Sequence, residues 1–297
     1  MAPTAMSPAA AARSGGGHVR SASVPSQRHP LLRHVDDQLR ALRAWTADPA
    51  RQSCPLSLAH VRALLCVLDE LLLSHALQLS ASPVSGSGTL LLDGFLALAD
   101  AYGSFLAALL ALRHHAADLR AALRRRSDDD TAAKTKLEAA ARALRRAAKE
   151  LASLAARCAH TPTHAGAGED GGELTGTVAE AVGETAAASA AVFLQVASLA
   201  DAAAAMAMAS SSSSSSAISS SSSSSPPKKK RLATLLAHAP ARSGGLKKAM
   251  EEQQRDAAEK LRELEQCVGE LEGESEKVFR SLLQTRVSLL NIHTPTI

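Results

Sequence analysis

Leu58, Val61, Leu65, Leu68, Leu72 and Leu79 recur at steps of three and four, with His75 filling the gap in the seam, so the first strongly patterned stretch predicts an amphipathic helix. Ser82, Pro83, Ser85, Gly86, Ser87 and Gly88 then break it. Leu91, Phe95, Leu98, Tyr102, Phe105, Leu109, Leu112, Ala116, Leu119 and Leu123 keep the same alternation for more than four heptads, which predicts one long helix. Leu92, Leu96, Leu106 and Leu110 widen its apolar stripe beyond a two-stranded seam and place it in a helical bundle. Gly94 and Gly103 weaken this helix locally and are read as points where a neighbouring helix comes close.

In "LRAALRRRSDDD" the cations Arg124, Arg125 and Arg126 end one helix and the anions Asp128, Asp129 and Asp130 begin the next, each set complementing the partial charge of its helix end. The helix expected over residues 131–158 puts Leu137, Leu144, Leu151 and Leu154 on one face. Its other face is basic: Lys134, Lys136, Arg142, Arg145, Arg146, Lys149 and Arg157 outnumber Glu138 and Glu150. A Gly, Thr, Pro and His loop over 159–175 leads to a weaker, alanine-dominated helix over 178–209. A serine tract over 210–225, broken only by Ala217 and Ile218, has no means of forming a core and runs into "PPKKKRLATLLAH". The last quarter again carries a heptad seam, Leu261, Leu264, Val268, Leu271, Val278 and Leu282 with Met250, Ala257 and Leu289 beyond them, interrupted by polar Gln254, Ser275 and Thr285.

The resulting organisation is all-α. A disordered leader over 1–52, rich in Ser, Pro, Gly and Arg, holds only a short helix near 35–45. A helical bundle over 53–209 follows, then a low-complexity linker over 210–245, then a coiled-coil-type helix over 246–297, packed on the bundle or tethered to it. Composition reinforces the pattern: alanine and leucine are the least costly helix residues, and aromatic residues make up only 2% of the chain, which disfavours sheets. The net charge of +4 is modest, but residues 228–248 carry seven basic residues and no acid, whereas residues 251–276 carry ten acids against three bases.

Cys54, Cys66, Cys158 and Cys267 stand singly, so they form neither a disulfide framework nor a zinc ribbon, and a reducing compartment fits. The longest uncharged apolar run, near residues 185–200, falls short of the roughly 20 strongly apolar residues of a membrane span. No transmembrane segment is expected, while peripheral contact with a membrane stays open. The leader lacks a secretory apolar region. Its Arg and Ser content without an acid before Asp36 also fits a plastid transit peptide, which is kept beside the expected cytoplasmic or nuclear location.

Two short motifs carry chemistry. In "RSASVP", Arg20, Ser21, Ser23 and Pro25 match the phosphoserine arrangement bound by 14-3-3 proteins, whose arginine cluster pairs with the phosphate while the proline turns the peptide out of the groove. The same arginine serves a basophilic kinase, and the plain alternative is ordinary leader composition. Lys228, Lys229, Lys230 and Arg231 present four consecutive cations of the kind an import receptor's acidic groove takes; the alternative is a solvated linker, or one that touches anionic lipid. "CAHTPTH" brings Cys158, His160 and His164 within seven residues but lacks a fourth ligand, so no metal is expected. His75, His114 and His115 have no patterned carboxylate or nucleophile, and "SGSG" at 85–88 lacks the lysine of a phosphate loop. Pro240, Ser243, Gly244 and Gly245 interrupt the basic segment that a zipper-type DNA binder needs as one helix, so specific nucleic-acid recognition is not expected.

Four stretches, "HVRSASVPSQRHPLLRHVDDQLRALRAW", "LLLDGFLALAD", "LRAALRRRSDDD" and "ELEQCVGELEGESEKVFRSLLQTRVSLLNI", resemble in this order the plant-specific BYPASS-like family of unknown function, across nearly the whole chain. The serine tract and the alanine enrichment depart from the family's pattern. The resemblance implies an all-helical plant protein grouped with root and shoot development and without an established enzymatic activity, and it supplies no catalytic residue. The expected function is therefore non-enzymatic: a helical interaction protein without cofactor or small-molecule substrate, with protein partners on its C-terminal helix and 14-3-3 proteins on phosphorylated Ser23. The alternative is a basic adaptor for anionic membrane or nucleic acid.

Overall fold

A stripe of leucine and alanine along a helix is stable only when another surface covers it, and in the computed structural model, which describes residues 29–48, 57–78, 87–125, 131–160, 173–212 and 242–293, the stripes cover one another. Six helices form: α1 (Pro30–Ala47), α2 (Ala59–Gln78), α3 (Ser87–Arg124), α4 (Thr131–Ala159), α5 (Glu173–Ser212) and α6 (Arg242–His293). The described residues hold no strand, as the scarcity of β-branched and aromatic residues implies.

The helices α3, α4, α5 and α6 make an up-down-up-down bundle in which each packs on the next and α6 closes back onto α3. Antiparallel register between α3 and α6 is fixed near both ends: Arg286 Nε donates to the Leu92 carbonyl at 3.4 Å, and Gln254 Nε2 to the Leu123 carbonyl at 3.1 Å. The helices α4 and α6 stand at opposite corners and do not touch. Across the other diagonal α3 approaches α5, where a Cβ on Gly94 would lie 3.0 Å from Val182 Cγ1, so that glycine does mark a close approach. Gly103 does not, since nothing lies within 4 Å of a Cβ placed there.

Aromatic rings fill the centre of that diagonal. Phe105 and Phe193 stack at 3.9 Å between ring centroids, and Tyr102 meets Phe193 edge-on at 5.5 Å. Ser189 Oγ donates to the Thr185 carbonyl at 2.6 Å. With its single proton used there, the 2.8 Å contact between Ser189 Oγ and the Tyr102 hydroxyl is donated by the tyrosine. Burial raises the Tyr102 phenol above its ordinary range and keeps it protonated. Alanine is structural on α4 and α5: Ala141, Ala148, Ala155, Ala200, Ala203 and Ala204 are all buried, small side chains that let two helices approach closely.

The pair α1 and α2 covers the α5 and α6 side of the bundle. Here the leader differs from expectation: α1 runs for 18 residues and buries Val35, Leu39 and Leu42, three residues spaced to share one helical face. Pro30 at its first turn fits a position where the missing N–H costs nothing. Average polarity of the segment hides this face, because three well-placed side chains are enough to anchor a helix whose other faces are solvated. Arg43 pairs with Glu184 of α5 at 2.7 Å and with Glu180. The N-terminus of α2 is capped from a distant helix: the Glu274 carboxylate of α6 accepts from Leu58 N at 2.6 Å, while Ser57 Oγ accepts from Ala59 N at 3.1 Å. These partners satisfy orphan amides and place a negative charge at the positive end of α2.

The linker over 210–245 therefore separates two stretches of sequence and not two bodies, since α6 shares a single apolar core with α1 to α5. It begins at Arg242, ahead of the patterned seam, and takes Gly244 and Gly245 into its first turns. Two helical stretches, Thr89–Arg124 and Glu173–Ser210, are long and apolar enough to cross a membrane by length and composition. The uncharged runs are shorter than these stretches because they stop at single charges such as Asp100. Both stretches are the diagonal core helices, and burying one face in a bundle selects for the same composition.

Candidate interaction surfaces

The six seam residues of α6, Leu261, Leu264, Val268, Leu271, Val278 and Leu282, are each fully buried among α2, α3 and α5. The coiled-coil pattern is thus satisfied within the chain, and the seam is not a surface for another protein. The polar interruptions are accommodated too. Gln254 occupies one of the last carbonyls of α3, and Thr285 Oγ1 donates to the Ser281 carbonyl at 2.9 Å. Ser275 is buried without a hydrogen-bond partner among the described residues.

What α6 leaves outside is charge. Glu252, Asp256, Glu259 and Glu263 follow one another at steps of four, three and four and so share a face, continued by Glu270. Glu263 bonds Lys260 at 2.6 Å, whereas Glu252, Asp256 and Glu259 are exposed and make no ion pair with a described residue. Other acids of α6 are engaged within the fold: Glu265 with Arg120 at 2.5 Å, Glu272 with Arg113 at 2.7 Å, and Glu274 on α2.

The basic face read on α4 is real but narrower than the sequence indicates. Arg145 turns to Asp201 of α5 at 3.0 Å, and Arg142 lies 3.8 Å from Glu138. Arg146, Lys149 and Arg157 point outward without an ion-pair partner among the described residues. Arg142, Arg146 and Lys149 repeat the four-and-three spacing of the α6 acids. Between α2 and α6 a shallow groove of about 280 Å3 is lined by Leu65, Cys66, Asp69, Arg280 and Gln284, and Asp69 accepts from Ser288 Oγ at 2.5 Å. Sequence reading missed this groove and the Glu274 cap, because both depend on which helix lies beside α2.

Arg20, Ser21, Ser23 and Pro25 lie outside the described residues, as do Lys228, Lys229, Lys230 and Arg231. Of the Cys and His cluster, His164 lies outside as well. Cys158 is buried, its Sγ donating to the Ala186 carbonyl at 3.6 Å, and His160 is exposed at the end of α4. No group of metal-binding side chains occurs among the described residues. His75 is half-buried with Nδ1 unpartnered among the described residues, and His114 lies on the surface 3.4 Å from Asp118.

Burial pushes the Cys158 thiol up to about 11 from an ordinary value of 9.0. The fold therefore favours the neutral thiol. That contribution is complete below the unfolded pKa of about 9 and is lost as pH rises through about 11. Urea midpoints measured between these pH values fall for the wild type, and Cys158→Ala flattens the fall.

No curated protein and no solved structure matches the chain. A protein-family model described as Protein BPS1 matches residues 57–292, from just before α2 almost to the end of α6. A match of that extent takes in five of the six helices, so the chain belongs to the Protein BPS1 family.

Proposed function

We propose that this protein is a non-enzymatic helical interaction protein, in which the bundle holds α6 rigid and presents its charged outer face to protein partners. The observation that carries this reading is the two-sided character of α6. Its apolar seam from Ala257 to Leu289 is spent inside the chain, which fixes the helix, while Glu252, Asp256, Glu259 and Glu270 stay exposed along its outer side. A face anchored in this way binds without the ordering cost that a free coil would carry.

The leader adds a switch. Phosphorylation of Ser23 brings nearly two negative charges, with Arg20 and Pro25 in the positions a 14-3-3 groove reads. The Lys228 to Arg231 cluster supplies an import signal that would carry the protein between cytoplasm and nucleus. Membership of the family supports, as part of the same proposal, a role in root and shoot development.

Affinity purification of the full chain from plant tissue, with and without phosphatase and beside Ser23→Ala, tests this. A set of partners including 14-3-3 proteins is expected to disappear on phosphatase treatment and in the Ser23→Ala chain, while a second set persists. Identical partners in all three samples would remove the switch, and an absence of partners in all three would remove the interaction reading.

A further inference from the structure

The two charged faces sit on α4 and α6, the diagonal pair that makes no contact within the bundle. Arg142, Arg146 and Lys149 stand at i, i+4 and i+7 on α4, and Glu252, Asp256 and Glu259 stand at i, i+4 and i+7 on α6. All six side chains are exposed. Residues so spaced lie on one side of an α-helix and advance together by about 1.5 Å per residue, so each stripe covers roughly 10 Å of helix and the two match in period. Both stripes run on, α4 through Ser153 to Arg157 and α6 through Glu263 to Glu270. Across the whole helix α4 carries seven basic residues against two acids, and residues 251–276 of α6 carry ten acids against three bases. Opposing charges flank each stripe, Glu150 on α4 and Arg255 and Arg262 on α6.

Because α4 and α6 are held at opposite corners, these faces cannot satisfy one another inside one bundle. We propose that they do so between copies: the basic face of α4 in one molecule docks side by side on the acidic stripe of α6 in a second. The contact joins two different surfaces, so each bound pair leaves one free α4 face and one free α6 face, and association continues head to tail. A pair of helix faces without an apolar centre falls in the transient class, below about 1,200 Å2 of buried surface, and its ion pairs are screened by salt. Association is therefore weak, reversible and lost at high ionic strength. This goes beyond the proposed docking of other proteins and is independent of Ser23.

Sedimentation of the full chain at about 100 μM protein, in about 20 mM and about 500 mM salt, tests the proposal. The wild type is expected to exceed monomer mass at low salt and to become monomeric at high salt. Arg142→Glu, Arg146→Glu and Lys149→Glu together, or Glu252→Lys, Asp256→Lys and Glu259→Lys together, are expected to weaken low-salt association at least about tenfold. All six substitutions in one chain restore complementary faces at unchanged net charge, and this chain is expected to associate again. Circular dichroism verifies the fold of each variant; one that has lost helix is replaced by its glutamine counterpart at the same positions, expected to weaken association in the same direction. A wild type that stays monomeric at low salt overturns the proposal, and retention on vesicles of anionic phospholipid would then give the α4 face to a membrane. A six-fold variant that stays monomeric overturns it as well. Ser23→Ala leaves the sedimentation unchanged, so loss of the phospho-switch and loss of self-association are read separately.

Discussion

Leu271→Asp unfolds the whole bundle. Leu271 is fully buried in the seam of α6, among helices α2, α3 and α5. Its replacement removes a large apolar side chain at a cost of roughly 2–5 kcal/mol, and leaves a carboxyl group in a site with no water to solvate it, which adds several more. Against the roughly 5–15 kcal/mol that holds a domain together, that loss is decisive. The signature is cooperative: helical signal from the entire chain disappears at a temperature or urea concentration where the wild type is folded. A seam shared with another molecule would give a different result, in which dissociation leaves α1 to α5 intact. Leu283→Asp is the matched control on the same helix. Leu283 is 39% exposed, so the aspartate stays hydrated and stability changes by no more than about 1 kcal/mol.

Phe193→Ala lowers stability by about 3–5 kcal/mol through a cavity at the α3 and α5 diagonal. Phe193 is fully buried and touches two other core aromatics, the stacked Phe105 at 3.9 Å and Tyr102 edge-on at 5.5 Å. Collapse into the space is opposed from two sides. The ring of Tyr102 is held by its hydroxyl on Ser189, and the helix axes are held by the alanine contacts of α4 and α5. A site that relaxes poorly lies at the costly end of large-to-small substitutions. For a chain of this size the midpoint falls by roughly 6–20 °C, measured by thermal melting. Phe193→Leu keeps most of the volume and costs less than about 1.5 kcal/mol. Equal midpoints for the two variants would show that the diagonal is not a packed centre.

The long helices were legible because burial imposes a period that propensity supports. The seam from Leu91 to Leu123 is buried along its length, and α4 begins at Thr131 where the aspartates precede it. Two glycines in the same helix show the limit. Gly94 and Gly103 are equivalent in sequence, yet only Gly94 faces a neighbour, since which turn of α3 meets α5 depends on the register between them. The helix α1 was legible only as a short element near 35–45, and its full length and its place in the core were not, for a related reason: Val35, Leu39 and Leu42 look sparse within a charged segment until α2 and α5 supply the surface that buries them.

The candidate surfaces divide the same way. A net basic α4 and an acidic α6 can be read from composition, because charge is a property of each residue alone. That Arg145 is consumed by Asp201, that Glu274 caps α2, and that the two charged stripes sit on helices that do not touch are relations between helices, and no single helix contains them.

By itself the sequence determined that the chain is helical, where most helices run, which face of each is apolar and which is charged, since local period, breakers and composition act within one segment. Only the tertiary structure decided who covers whom. The heptads of α6 fit a partner in another molecule as well as one in the same chain, and the apolar stripes of α2, α3 and α5 took that place because they are tethered to it and need the same cover.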